Sequence, residues 1–241
     1  MPDRIGQKFR RLLPGYAILP LIFAVTVNFT VYGGAQFLAS GLPRHDIASA
    51  LDNQLPFIPQ FLVIYVGCYL FWIVNYILIA RQDKQECYQF FTADFISRII
   101  CLIFFLAFPT TNIRPDVSGP GFWNHAMRIL YTLDPPLNLF PSVHCLVSWF
   151  CYIGIRRNQA IPLWYRRCSC VLAILVFVST LAVKQHVLID IAGAVALAEI
   201  CQRLGRVPAL YRTYTHIFDG LYHALIMRTH HQRQRSQCHE T

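Results

Sequence analysis

Charge is what this sequence has least of. Only 14% of its 241 residues are Asp, Glu, Lys or Arg, 55% are hydrophobic, and mean hydropathy is positive. A water-soluble domain covers its core with charged and polar side chains, so a chain this poor in them has lipid as its natural solvent. The length suffices for one domain with a large core. A continuous basic stripe with interleaved aromatics is also missing. The excess of 21 Lys and Arg over 12 Asp and Glu falls in short clusters flanking apolar runs, a topology signal that argues against nucleic acid as a partner. A second cysteine pair at zinc spacing is absent too. Cys168 and Cys170 stand alone as C-x-C, and Cys68, Cys101, Cys145, Cys151, Cys168, Cys170 and Cys201 lie inside or at the ends of apolar runs, so all read as small buried hydrophobes with no structural metal. No internal repeat is visible.

What the sequence does have is six apolar runs. Residues 16–39 follow Arg4, Lys8, Arg10 and Arg11; the run is long enough to cross a bilayer and lacks the small-x-small cleavage site of a signal peptide. A polar stretch, 40–56, reads as a loop, and further runs follow at 57–80, 93–108, 142–155, 168–183 and 186–202. Asp94 and Arg98, one turn apart near the start of the third run, are expected to neutralise each other at the membrane interface. The longest interruption, 109–140, is rich in Pro, Gly, Asn and Asp and reads as a functional loop. In the sixth run Ala192, Gly193, Ala194, Ala196 and Ala198 allow close helix approach.

Residues 1–206 therefore read as an all-α membrane bundle of six transmembrane helices. Residues 207–241 read as a cytoplasmic segment, amphipathic and lying on the membrane over 207–227, disordered and basic over 228–241; His230, His231 and His239 belong to that tail rather than to a metal site. Six spans put both termini on one side, with Arg81, Lys84, Arg156, Arg157, Arg166, Arg167 and the arginines from Arg203 onward. Only Arg44, Arg114, Arg128 and Lys184 fall on the other. The basic side is expected to be cytoplasmic, in a multi-pass protein of the cell membrane whose opposite face is periplasmic, exterior or lumenal.

That opposite face collects polar residues that apolar helices do not need. If His186 opens a helix, Asp190 lies one turn on and leans back toward the imidazole. A histidine held by a carboxylate is a nucleophile or base; the plainer alternative is an ion pair between Lys184 and Asp190. Ser142, after Pro141, opens a helix whose free N–H groups favour an anion. Arg114 offers two phosphate oxygens a planar fork, and Lys184 adds a point charge. Singly, Ser142 is a helix cap, His144 an interfacial histidine and Arg114 a loop anchor snorkelling to headgroups. Together on one face they favour phosphoryl transfer: His186 attacks phosphorus, Asp190 fixes the ring, and His144 protonates the leaving oxygen. Asp134 and Asn138 read as turn formers, His125 and Arg128 as residues of a solvated loop.

Arg114-Pro115, Pro141-Ser142-Val143-His144, and Ser179 with His186 and Asp190 in S-x6-H-x3-D spacing resemble the three signature motifs of the type 2 phosphatidic acid phosphatase superfamily. It contains membrane lipid phosphatases, lipid phosphotransferases such as inositol phosphoceramide synthases, and soluble vanadium haloperoxidases. The resemblance covers residues 114–190 and the six-span layout. It implies a phosphohistidine on His186, His144 as general acid, a phosphate held by Arg114, Ser142 and Ser179, and neither cofactor nor metal. The chain departs from the motifs at Ala107, where a lysine stands in the family, and at Thr180, where an arginine stands; Lys184 is expected to replace one of these cations. The activity this implies is hydrolysis of a lipid phosphate or diphosphate on the non-cytoplasmic face, with membrane lipids around the substrate. Its alternatives are a phosphotransferase moving a phosphate-bearing head group to an alcohol, and a non-catalytic lipid transporter or scaffold with a degenerate site.

Overall fold

In lipid every backbone N–H and C=O must be satisfied within the protein, so apolar runs unbroken by charge fold as helices. The computed structural model describes residues 13–238, with side chains described as far as Leu225. Arg4, Lys8, Arg10, Arg11 and His239 lie outside the described residues, as do the side chains of His230 and His231. In chain order the elements are α1 (Gly15–Leu38), β1 (His45–Asp46), α2 (Ala50–Gln54), a 3-10 turn (Pro59–Phe61), α3 (Leu62–Ala80), α4 (Lys84–Ala107), β2 (Thr110–Thr111), α5 (Phe122–Leu133), α6 (Val143–Ile155), α7 (Leu163–Ala182), α8 (Leu188–Leu204) and α9 (Pro208–Cys238). The fold is all-helical apart from the two-residue strands.

Against the six expected spans, four helices among the described residues are long and apolar enough to cross a membrane: Gly15–Leu38, Pro59–Ala80, Lys84–Ala107 and Leu163–Ala182. The other two are short. With 13 and 17 residues, α6 and α8 reach about 20 and 25 Å at about 1.5 Å per residue, against a hydrocarbon core of about 30 Å.

Short as it is, α6 is the most enclosed helix. The helices α3, α7 and α8 pack around it, and Cys145, Leu146, Phe150, Cys151, Ile153 and Ile155 are buried. Helix α4 packs against α1 on one flank and α8 on another. After α8, Gly205 passes so close to α4 that a Cβ there would lie 2.3 Å from the Gln89 carbonyl oxygen, an approach open only to glycine. The start of the segment expected to lie on the membrane packs against the bundle: Tyr214 and Phe218 of α9 are buried, with Phe218 5.3 Å from Phe23 of α1 and Tyr214 6.3 Å from Phe95 of α4, ring to ring. The helix then continues to Cys238, through most of the stretch read as disordered; no Pro or Gly follows Gly220 to stop it. The cysteines read as buried are so except at the start of α7, where Cys168 is exposed and Cys170 half-buried.

The Asp94–Arg98 pair is not at the start of its helix. Asp83 accepts the Glu86 N–H (3.1 Å) and so caps α4 a full two turns before the apolar run at 93 begins. This carries the pair into the middle of the bundle, where Arg98 Nη2 donates to Asp94 Oδ1 at 2.8 Å and both side chains are 2% exposed. Tyr76 donates to the same oxygen (2.9 Å). The pairing expected at the interface therefore takes place in the protein core.

The two ends of the bundle are tied differently. At the basic end Arg156 grips Glu199 with both prongs (2.8 and 3.1 Å), Lys84 pairs with Asp219 (2.7 Å), and Gln82 Nε2 donates to the Gly154 carbonyl (3.0 Å). At the other end several ties run from backbone to backbone. β1 and β2 pair in parallel, the Ile58 N–H donates to the Ala182 carbonyl (2.9 Å), and the Ser142 N–H to that of Asp190 (3.3 Å). Neither stretch read as a loop is structureless, since 40–56 contains β1 and α2, and 109–140 contains β2 and α5.

Candidate active site

Helix α7 ends in a Schellman turn: the Gln185 N–H returns to the Thr180 carbonyl (2.9 Å) and the Lys184 N–H to that of Leu181 (3.1 Å). Lys184 occupies the left-handed position of this turn (φ 56°), where glycine is usual, at a cost of about 1 kcal/mol. The chain leaves the turn extended, so His186 does not open the next helix as expected. That helix begins two residues later, at Leu188. The spacing still works: Asp190, the third residue of α8, turns back so that Oδ2 accepts both the Val187 N–H (3.0 Å) and Nδ1–H of His186 (3.1 Å). Asp190 is fully buried. With the hydrogen assigned to Nδ1 by its carboxylate partner, Nε2 of His186 keeps its lone pair.

The start of α8 is pinned by a residue that sequence reasoning missed. Asp52 Oδ1 accepts the Leu188 N–H (2.7 Å), while Oδ2 accepts the N–H and hydroxyl of Ser49 (2.8 and 2.5 Å). The Ser49-x-x-Asp52 spacing was the available signal for half of this, the capping box of α2. Burial pushes the Asp52 carboxyl up, but the hydrogen bonds from Ser49 and Leu188 and the charge of Lys184 outweigh it and hold the pKa below the ordinary value. A depressed carboxyl stabilises the fold above its unfolded pKa of about 3.9 and loses that contribution as pH falls through the folded pKa. Asp52→Asn should therefore lower the melting temperature in detergent at pH 7, corresponding to about 1–3 kcal/mol for the stranded donors, with the gap to wild type narrowing below about pH 4. A gap that widens on acidification contradicts this role.

Ser142 caps α6. Its Oγ accepts the Cys145 N–H (3.3 Å), and its own N–H ties the start of α6 to the Asp190 carbonyl. One residue into the helix, His144 lies with its ring centroid 5.9 Å from that of His186. Tyr65, Trp72 and Tyr69 box the His144 ring at 4.4, 5.6 and 6.2 Å. Its Nδ1 is 3.4 Å from the Tyr65 hydroxyl; its Nε2 is buried with no hydrogen-bond partner among the described residues.

Arg114, Lys184 and His186 line one cavity of about 270 Å³, together with Asn112 and Leu181. Arg114 Nη1 donates to the Asp134 carbonyl (2.7 Å), Nη2 to Gln185 Oε1, and the guanidinium sits over the Tyr131 ring at 4.6 Å. Burial pulls its pKa below the usual arginine value, against the opposing pull of Asp134. Lys184 donates to the carbonyls of Asp52 (2.9 Å) and Leu55 (2.7 Å), so one of its three hydrogens remains for an anion. Ser179 is turned back on its own helix, donating to the Val176 carbonyl (2.7 Å), and Thr180 likewise to that of Phe177 (2.8 Å). Arg128 holds the carbonyls of Val117 (2.8 Å) and Gly119 (3.1 Å), His125 is exposed, and Asn138 has the positive φ (58°) of a turn residue. Asp134 is more than a turn former: its carboxylate accepts hydroxyls from two tyrosines. A larger cavity of about 340 Å³ lies at the basic end, between Tyr152, Arg156, Arg166 and Arg167, on the far side of the bundle from the histidines.

No curated protein and no solved structure matches the chain. A family model does, the PAP2 superfamily, over residues 47–204, more than half of the chain and all of the motif residues from Arg114 to Asp190. By that match the chain belongs to the PAP2 superfamily, and with its apolar helices it is a membrane protein of phosphatase kind.

Proposed function

We propose that this protein hydrolyses the phosphate of a lipid through a phosphohistidine on His186. The observation that carries the reading is the paired imidazoles, with ring centroids 5.9 Å apart and His186 held on Asp190 at 3.1 Å. Nε2 of His186 attacks phosphorus and the P–O bond to the lipid breaks. The electron pair leaves on oxygen, which takes a proton from Nε2 of His144. Asp190 balances the positive charge of the phosphorylated imidazole. Water then attacks phosphorus as the P–N bond breaks, the electron pair returning to Nε2 of His186 and one water proton passing to Nε2 of His144, which restores both rings. Arg114, the α6 N–H groups and the remaining hydrogen of Lys184 supply positive charge for the phosphoryl oxygens; Ser142 stays a cap, and Ser179 supports from within α7.

In this reading α6 and α8 complete a six-span bundle, and their shortness sets His144 and His186 a little below the headgroups of the non-cytoplasmic leaflet. The gathering of arginines at the opposite end supports a cytoplasmic assignment for that end and for both termini. The lipid chain enters sideways between helices, because drawing it through water costs about 0.8 kcal/mol per CH2. The test is a screen of lipid phosphates and diphosphates for phosphate release, with and without alcohol acceptors, beside His186→Ala and His144→Ala. Release without acceptor, lost in both variants, is the expected result. Strict dependence on an alcohol converts the reading to a phosphotransferase, and unchanged function in both variants leaves a non-catalytic lipid transporter or scaffold.

A further inference from the structure

The tyrosine beside His144 is itself held by a carboxylate. Asp134, at the end of α5, receives the hydroxyl of Tyr65 (α3) on Oδ2 at 2.8 Å and that of Tyr32 (α1) on Oδ1 at 2.5 Å. An ionised carboxylate only accepts, so both tyrosines donate to it. Tyr65 then has lone pairs alone to offer Nδ1 of His144 at 3.4 Å, and that contact is satisfied when Nδ1 carries the hydrogen. The buried Nε2, without a partner among the described residues, is left as the atom that gives and takes the working proton.

We infer that Tyr65 and Asp134 are positioning residues for His144, a relay that fixes its tautomer and ring orientation as Asp190 fixes those of His186. The inference rests on the phosphohistidine reading and assigns how its acid is held. The two arrangements differ in a way the chemistry requires. A nucleophile becomes cationic and stays so through the intermediate, which a carboxylate in direct contact stabilises. An acid must release its proton, and a phenol placed between carboxylate and ring orients the imidazole with a weaker electrostatic hold. The 3.4 Å contact is long, as such bonds often are before substrate tightens them. The groups facing His144 are Tyr65, Tyr69 and Trp72 from α3, His186 from the α7–α8 turn, and, through Tyr65, Asp134. Arg114 hydrogen-bonds the Asp134 main-chain carbonyl, which Asp134→Asn retains, and feels the carboxylate through its charge, which Tyr65→Phe leaves in place.

The test compares two esters in wild type, Tyr65→Phe and Asp134→Asn: an alkyl lipid phosphate, whose alkoxide needs a proton to leave, and p-nitrophenyl phosphate, whose phenolate does not. The ratio kcat/KM reports phosphorylation of His186 alone. On the lipid phosphate it should fall at least about 10-fold in both variants, a fraction of the 10²–10⁴ a general acid contributes, and stay within about twofold on the nitrophenyl ester. The alkaline limb of the lipid pH profile should move to lower pH, since the protonated ring loses its hold. Equal losses on the two esters, or none on either, overturn the relay and leave the phosphohistidine reading standing. Wild type inactive on both esters overturns that reading and the relay with it.

Discussion

His186→Ala should lower turnover of the lipid phosphate by about 10⁴- to 10⁶-fold and abolish the covalent phosphoenzyme, with the helical content of the protein unchanged. The size follows from the proposed role: a nucleophile that forms the covalent bond has no partial substitute, whereas in the same proposal Arg114 and Lys184 divide phosphate binding with the N–H groups of α6 and can be lost more cheaply. The ring borders a cavity and the Val187 N–H still holds Asp190 in the variant, so the folded bundle should survive. Phosphate-release rates beside circular dichroism on detergent-solubilised protein check both halves. A variant that keeps more than about one hundredth of wild-type activity is incompatible with a covalent role.

The second large effect is on stability. Arg98→Leu alone should cost about 3–5 kcal/mol, because it leaves the Asp94 carboxylate in the bundle core with only the Tyr76 hydroxyl for company. Against a total stability of about 5–15 kcal/mol, much of the protein should fail to fold. The double variant Asp94→Leu with Arg98→Leu should recover most of that loss, since a buried ion pair replaced by apolar groups of similar volume is often neutral. Yield of monodisperse protein and melting temperature in detergent measure it. A double variant no better than the single one would mean that the pair does something that apolar packing cannot replace, with Arg98 Nε and Nη1, which have no partner among the described residues, the place to look.

Residue order alone makes only part of this structure legible. The long apolar runs and the histidine motifs are local patterns, so α1, α3, α4 and α7 and the triplet His144, His186 and Asp190 can be read from residue order. Asp94 and Arg98 can be read as a pair, but not their depth, which depends on Asp83 starting α4 earlier. Helix α5 is hidden because Pro120, Gly121 and Pro135 at its borders dominate the reading, although Met127, Leu130 and Tyr131 between them sit at helical spacing and pack toward the core. The ties from Asp52 to Leu188, and from Tyr32 and Tyr65 to Asp134, join residues 136, 102 and 69 positions apart, and no local pattern encodes them. The same is true of Lys184. Its charge is visible, but its left-handed turn and its bonds to the Asp52 and Leu55 carbonyls come from packing.

The proposed chemistry puts the phosphoryl group on one particular nitrogen-bearing side chain. Wild-type protein quenched in alkali during turnover of a lipid phosphate, digested and sequenced by mass spectrometry, should carry phosphate on His186. Phosphate bound to any other residue, or none on the protein while phosphate is being released, would contradict it.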